Sequence, residues 1–122
     1  MGENKLNFYN LEILKLGMEL VHFVYKLTKR FPKEEVFGLS SQMKRAVVSI
    51  PLNITERSGR RTNKDFTSFL RNSIGSSLEV LTCGEIALQE KFITQKDLAK
   101  LKTKIEEVYF KLIAPEKSIL NK

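Results

Sequence analysis

Three groups of side chains in this chain have types and spacings that could do chemistry, and two of them do not complete a site. Glu19 and His22 have the Glu-x-x-His spacing with which two-iron helical bundles bind metal. Such a centre needs a second pair and two further glutamates, but His22 is the single histidine. Cys83, the single cysteine, has no histidine partner to activate it as a nucleophile. The sequence therefore predicts no metal, no cofactor and no enzymatic activity.

The third group is a basic segment, Lys44–Arg71, which indicates an anionic partner. It contains seven basic residues and only two acidic ones, Glu56 and Asp65. Five of the seven excess positive charges of the chain therefore fall within it. Charge concentrated in this way governs association more than fold. The residues predicted to contact nucleic acid are Lys44, Arg57, Arg60, Arg61, Lys64 and Arg71.

The basic segment carries no signature of a known RNA-binding domain, and aromatic side chains are not interleaved with its cations. Binding to phosphates would then be driven by shape and charge, with little preference for sequence. A second interpretation stays open. The protein could be an oligomeric scaffold or adaptor for another protein, with a charge that serves only solubility.

Length and composition set the class of protein. With 122 residues, 42% of them apolar and 29% charged, the chain is expected to form one soluble globular domain. A single cysteine excludes an internal disulfide and is typical of a reducing compartment. No apolar run approaches the roughly 20 residues that span a bilayer, and Glu12 and Lys15 interrupt the only candidate core of a signal peptide. The expected location is the cytoplasm.

Apolar residues recur with the period of an α-helix along the chain, and no segment alternates as a strand would. Pro32 ends the first helix, Ser40 is the expected cap of the second, and Thr94-x-x-Asp97 resembles a capping box at the fourth. The predicted helices span about residues 11–30, 41–57, 64–89 and 95–114. Short connections favour an all-α, antiparallel up-and-down four-helix bundle that occupies the whole chain as one domain.

Two apolar stripes run along the first helix, although a helix in a bundle buries only one face. One stripe contains Leu11, Leu14, Met18, Val21 and Tyr25, and the other contains Ile13, Leu16, Leu20, Phe23, Val24 and Leu27. An exposed second stripe would form a large apolar patch, which is typical of an interface. The alternative is a wide core-facing arc that loops partly cover. The residues expected at an interface between subunits are Ile13, Leu16, Leu20, Phe23 and Leu27.

A polar ladder accompanies the apolar stripe of the second helix. Its members are Gln42, Arg45, Ser49, Asn53 and Glu56. At 100° per residue these side chains align within about 80°. A solvated face would have the same spacing as a hydrogen-bonded network between helices or subunits. We predict a partly buried network, in which Arg45 reaches Glu56 through intermediate side chains.

Several runs of residues resemble a known family. They are Phe31-Pro32-Lys33-Glu34-Glu35, Phe37-Gly38-Leu39-Ser40-Ser41-Gln42-Met43-Lys44-Arg45-Ala46 and Ser49-Ile50-Pro51-x-Asn53-Ile54-x-Glu56-x-x-Gly59-Arg60, followed by Phe66-x-x-Phe69-Leu70 and Gly75-Ser76-x-x-Glu79. In these runs the chain is similar to the bacterial four-helix-bundle proteins encoded in intervening sequences of 23S ribosomal RNA genes. The resemblance extends from Leu11 to about Ile113.

The resemblance implies an antiparallel bundle that assembles as a ring-like homopentamer. It also implies a relation to the accessory proteins of diversity-generating retroelements, basic pentamers that bind nucleic acid and a reverse transcriptase. The expected partners are ribosomal or other RNA and, from the resemblance, a protein such as a reverse transcriptase. Neither a membrane nor a small-molecule substrate is expected. Two residues depart from the family pattern. Thr55 replaces the usual alanine, and Arg57 replaces the usual glycine and puts a long cation at the end of the second helix.

Overall fold

The computed structural model describes residues 8–57 and 63–120, and the side chains of residues 11–56 and 68–113. The long helices are α1 (Phe8–Thr28), α2 (Leu39–Arg57), α3 (Asn63–Gln89) and α4 (Gln95–Leu120), and a short 3-10 helix (Lys33–Glu35) lies between α1 and α2. The described ranges contain no β-strand, so the predicted all-α class is confirmed. Within those ranges, no helix has both the length and the apolar character needed to cross a bilayer.

Each long helix packs against two others, since α1 and α3 both contact α2 and α4. The core lies between the four helices. Its fully buried side chains include Ile13, Leu20 and Val24 from α1, Met43, Val47, Ile50 and Ile54 from α2, Leu70 and Val80 from α3, and Leu101, Val108 and Leu112 from α4. These residues repeat with the helical period, and burying one such side chain contributes about 1.5–3 kcal/mol.

Burial on α1 corrects the interface that the sequence predicted. Ile13, Leu20 and Leu27 are 0%, 0% and 2% exposed within one chain. A side chain that lies in the core of one subunit has no surface left for a second, so the assignment of these three residues to an interface is wrong. Leu16 and Phe23 are half-buried and pack against the same core.

The exposed apolar surface of α1 is the other stripe. Leu11, Met18 and Tyr25 are 45%, 56% and 41% exposed. Lys44 of α2 places its Nζ 5.3 Å from the centroid of the Tyr25 ring, and Leu52, two turns further along α2, is 60% exposed. These four apolar side chains are exposed on α1 and α2. We call Leu11, Met18, Tyr25 and Leu52 the outer face.

The sequence predicted the N-terminal cap of α4 correctly but not that of α2. At α4 the Asp97 N–H donates to the Thr94 hydroxyl at 3.1 Å, and the Thr94 N–H donates to the Asp97 carboxylate at 2.9 Å, so the predicted capping box is confirmed. At α2 the Leu39 N–H donates to the Glu35 carboxylate at 3.0 Å. The helix begins one residue before Ser40, and its cap is Glu35.

Asp97 also joins the end of α1 to the start of α4, because the Arg30 guanidinium lies 2.9 Å from its carboxylate. Burial by itself would raise the pKa of Asp97, but hydrogen bonds from Arg30 and Thr94 and the charge of Arg30 outweigh it and hold the pKa below its ordinary value. Since the pKa is lower in the folded than in the unfolded chain, the carboxylate stabilises the fold at neutral pH. That contribution is lost as the pH falls through the folded-state pKa.

We expect Asp97→Asn to lower the free energy of unfolding at neutral pH and to reduce the further loss between about pH 5 and pH 3, because the amide cannot titrate. Urea midpoints measured across this range test the expectation. Glu85→Gln is the control, since Glu85 faces Lys102 at 3.6 Å with both side chains about half exposed. The free energy of unfolding of Glu85→Gln should depend on pH as that of the wild type does. The same acid dependence in Asp97→Asn would contradict the role given to Asp97.

Gly84 permits a close approach between α3 and α4. A Cβ at this position would lie 2.6 Å from Leu101 Cδ2 and 3.2 Å from Leu98 Cδ1. Leu101 is 0% exposed and Leu98 4%, so both lie within the packed core. Gly75 of the same helix differs, since a Cβ there would meet no heavy atom within 4 Å.

Alanine at the two glycines is therefore expected to have opposite effects. Gly84→Ala should destabilise the fold by about 1–3 kcal/mol, because overpacking outweighs the gain in helix propensity. Gly75→Ala should stabilise it by about 0.5–1 kcal/mol, because the propensity is gained without a clash. Urea denaturation of both variants measures the difference. Stabilisation by Gly84→Ala would show that α3 and α4 do not approach closely at this position.

Candidate nucleic-acid interface

The residues predicted to contact phosphates fall at more than one place on the fold. Arg57 is the last residue of α2, and Lys64 lies in the first turn of α3. Arg60 and Arg61 lie outside the described residues, as do the side chains of Arg57 and Lys64. Arg71 is exposed, about two turns after Lys64 on α3. The densest part of the basic segment thus belongs to the junction between α2 and α3.

Lys44 lies near the opposite end of α2. It precedes Arg57 by 13 residues, which corresponds to about 20 Å along the helix at roughly 1.5 Å per residue. Its side chain is half-buried, and its ammonium group makes a cation–π contact with Tyr25 of α1. The structure therefore separates Lys44 from the cluster to which the sequence assigned it.

Lys44 instead lines a pocket of about 260 Å³ where α1 ends and α2 begins. We call it the α1–α2 pocket. Its polar lining residues are Tyr25, Thr28, Lys29, Lys33, Ser40 and Lys44. Reasoning from the sequence missed Lys29 and Lys33, because they precede the basic segment. The available signal was a lysine on each side of Pro32, where the chain turns from one helix to the next.

Two members of the polar ladder bind α3. The Gln42 amide donates to the Glu79 carboxylate, and the hydroxyls of Ser49 and Ser76 are hydrogen-bonded to each other. These contacts join α2 to α3 beside the core. This part of the ladder is a link between helices within one chain.

The other three members do not form the predicted network within one chain. Arg45 and Glu56 are exposed, and Asn53 is half-buried. Among the described residues, no hydrogen bond or ion pair connects these three side chains. Without such contacts, these three side chains add little to the stability of a single chain. A network that spans two subunits stays a prediction.

The Cys83 thiol is poorly suited to act as a nucleophile. Its side chain is 4% exposed. Burial, together with the negative charge of Glu79, raises the pKa of the thiol. Since the thiolate is the reactive form, this environment favours an inert residue of the core. Its role in the described structure is packing.

Glu19 and His22 line a groove of about 580 Å³ between α1 and α4. The other charged residues that line this groove are Lys15, Lys26 and Lys104. Three ammonium groups around one carboxylate disfavour a divalent cation. In the described part of the chain, no group of three or more His, Cys, Asp or Glu side chains could hold a metal ion.

Comparison with known proteins identifies both the fold and the family. A crystal structure of a protein of unknown function from the S23 ribosomal protein family of Bacteroides thetaiotaomicron has a TM-score of 0.79 to this chain, with 21% sequence identity over 90% of this chain and 99% of that one. At this identity the likeness shows the fold alone. A search of curated proteins found no match. A family model for the 23S rRNA-intervening sequence protein matches residues 9–114. Because this match covers most of the chain and includes residues of all four helices, the chain belongs to the 23S rRNA-intervening sequence protein family.

Proposed function

We propose that this protein is a non-enzymatic homo-oligomer that binds RNA phosphates with little preference for sequence. The observation that carries the proposal is the basic segment, which holds five of the seven excess positive charges of the chain. On the fold this segment occupies α2, the beginning of α3 and the junction between them. Release of counterions from RNA would supply most of the affinity, so the binding would depend strongly on salt.

The family and its fold support RNA as the anionic partner. The family is named for the 23S rRNA intervening sequence, and the similar crystal structure belongs to a family named for a ribosomal protein. The first name refers to ribosomal RNA and the second to the ribosome. The resemblance to the accessory proteins of diversity-generating retroelements extends the proposal to a protein partner, a reverse transcriptase.

Self-association is the second part of the proposal. The outer face presents four large apolar side chains that are between 41% and 60% exposed. We propose that they form one apolar patch, which is typical of an interface. We further propose that neighbouring helices of the bundle are antiparallel. The proposed number of subunits is five, which the family resemblance implies. A ring would repeat the basic segment once per subunit. Weak phosphate contacts would then add through avidity.

The outer face also favours a second candidate function, an oligomeric scaffold or adaptor that binds another protein. In that case the positive charge would serve solubility and would hold RNA loosely only at low salt. The two candidates therefore differ in whether RNA binds at physiological salt.

Equilibrium binding of labelled RNA in about 0.15 M salt separates these candidates. Two RNAs of equal length and unrelated sequence should bind with similar affinity if phosphates are the target. Absence of binding would overturn RNA binding in favour of the scaffold, and a strong preference for one sequence would contradict contact through phosphates alone. Light scattering tests the assembly, for which five 14.1 kDa chains give about 70 kDa. A 14.1 kDa species at micromolar concentration would contradict self-association.

A further inference from the structure

The α1–α2 pocket concentrates positive charge. Lys29 follows the end of α1, Lys33 lies in the 3-10 helix and Lys44 lies on α2, and all three line the pocket. The described residues contribute no acidic side chain to its lining. The ammonium groups of lysines that line one pocket repel each other, and an anion bound among them would relieve the repulsion. The charge of the pocket therefore favours an anionic ligand.

A buried hydroxyl in the same pocket lacks a hydrogen-bond partner among the described residues. Ser40 is 5% exposed, and no other described residue forms a hydrogen bond with its side chain. Thr28, 7% exposed, donates its hydroxyl proton to the Tyr25 carbonyl at 3.1 Å, so that proton is already used. A buried hydroxyl without a partner costs free energy. Ser40 thus points to a ligand that accepts a hydrogen bond.

The pocket lies between the last turn of α1, whose dipole disfavours negative charge, and the first turn of α2, whose dipole favours it. The first amide of that turn, from Leu39, already donates to Glu35, so it is not counted among the donors of the pocket. Because the two helix ends oppose each other and the Glu35 carboxylate already lies at the start of α2, the helices add little to the attraction for an anion. The lysines and Ser40 supply the direct contacts.

We propose that the α1–α2 pocket binds the phosphate of a phosphate monoester through Lys29, Lys33, Lys44 and the Ser40 hydroxyl. A monoester carries about −1.5 to −2 charges at neutral pH and has three acceptor oxygens. These properties suit three ammonium groups and one neutral hydroxyl donor. The pocket has a volume of about 260 Å³, well above the roughly 10–15 Å³ that one water molecule needs. It therefore has room for a phosphate group.

Two sources could supply such a phosphate: a free mononucleotide, or the 5′-phosphorylated end of an RNA. The second source rests on the proposed function, whereas the first does not. Titration calorimetry with the full chain first tests whether the pocket binds the phosphate group itself. The probes are inorganic phosphate, adenosine 5′-monophosphate and adenosine. We expect the two phosphates to bind and adenosine to show no binding. Failure of both phosphates to bind would overturn a site for free monoesters.

Ser40→Ala and Lys33→Ala are each expected to weaken binding of adenosine 5′-monophosphate by about 10-fold or more, because each removes a group that contacts the phosphate directly. Ser40→Ala removes one atom from a small side chain, so the fold should be retained, as circular dichroism would show. The matched control is Lys100→Ala, at an exposed lysine on α4. If the control loses as much affinity as Lys33→Ala, the effect belongs to the total charge and the pocket assignment is overturned.

RNA oligonucleotides of one sequence, with either a 5′-phosphate or a 5′-hydroxyl, distinguish the sources. We expect the wild type to bind the 5′-phosphate form at least about 10-fold more tightly than the 5′-hydroxyl form. Loss of this preference in Ser40→Ala would establish the RNA end as a ligand. If both RNAs bind equally and adenosine 5′-monophosphate does not bind, the pocket inference falls while RNA binding stands. If adenosine 5′-monophosphate binds but neither RNA does, the proposed function falls and the pocket stands as a site for free monoesters.

Discussion

Replacing Leu20 by alanine is expected to lower the free energy of unfolding by about 2–5 kcal/mol. Leu20 is 0% exposed and belongs to the same core cluster as Val24 and Met43. The substitution removes apolar contacts and leaves a cavity that the neighbouring helices fill only in part. Urea denaturation followed by far-ultraviolet circular dichroism measures the loss. The effect is large because this side chain lies in the core of one chain.

Met18 provides the matched position on the same helix, two residues earlier and 56% exposed. Met18→Asp should leave the single chain folded but shift self-association toward the monomer, because an interface would have to desolvate the new charge. Sedimentation equilibrium measures the shift. Unfolding should be compared at equal protein concentration, since the stability of an oligomer depends on it.

The two substitutions together test which stripe of α1 is buried. If Leu20→Ala were tolerated but separated the subunits, the stripe originally predicted would be the interface. If Met18→Asp unfolded the chain, Met18 would belong to the core, and the stripe that contains Leu20 would again be the interface. Dissociation by Met18→Asp with retained helicity would support the outer face as the interface.

Replacing Arg60 and Arg61 together by alanine is expected to weaken RNA binding alike across sequences. Each phosphate that a cation neutralises contributes about 0.7 to the slope of log affinity against log salt for a single strand and about 0.9 for a duplex. Loss of two cations should therefore flatten the slope by about one to two for each subunit engaged. Filter binding at several salt concentrations measures both the affinity and the slope.

Lys96→Ala with Lys100→Ala is the control for total charge. It removes the same two charges from exposed positions on α4, well outside the basic segment. The control should change affinity less than the arginine pair does and should keep the slope of the wild type. Equal losses in the two double variants would mean that binding follows net charge. Wild-type affinity in the arginine variant would exclude Arg60 and Arg61 as phosphate contacts.

The helices themselves could be predicted closely from the sequence. Observed ends lie within three residues of the predicted ends, except that α4 continues through Pro115 to Leu120 instead of ending near 114. Periodicity and capping signals act over a few residues, which is why they are readable without a structure. A proline removes only one helical hydrogen bond and can lie inside a helix, as Pro51 does in α2.

The buried face of α1 could not be predicted in the same way, because both of its stripes are apolar. Periodicity gives the angle between two stripes but not which of them meets the neighbouring helices. Gly17 was the available signal. A Cβ at Gly17 would lie 3.7 Å from atoms of Ile50 and Pro51, so the small residue marks the side on which α2 approaches.

The grouping of the basic residues failed for a related reason. Counting charges along the chain assigned Lys44 to the cluster around Arg60, although α2 separates Lys44 from Arg57 by about 20 Å. The turn after α1 instead brings Lys44 together with Lys29 and Lys33. Charge density in sequence indicates an anionic partner, but the fold decides which cations share a surface.

The most direct test of RNA binding is the affinity of the wild-type protein for a single-stranded RNA between about 0.05 and 0.2 M salt. We expect log affinity to fall linearly with log salt, with a slope of about −0.7 for each phosphate neutralised and with binding retained at about 0.15 M. An affinity that does not change with salt, or no binding at about 0.15 M, would contradict the proposal that this family member binds RNA through its basic segment.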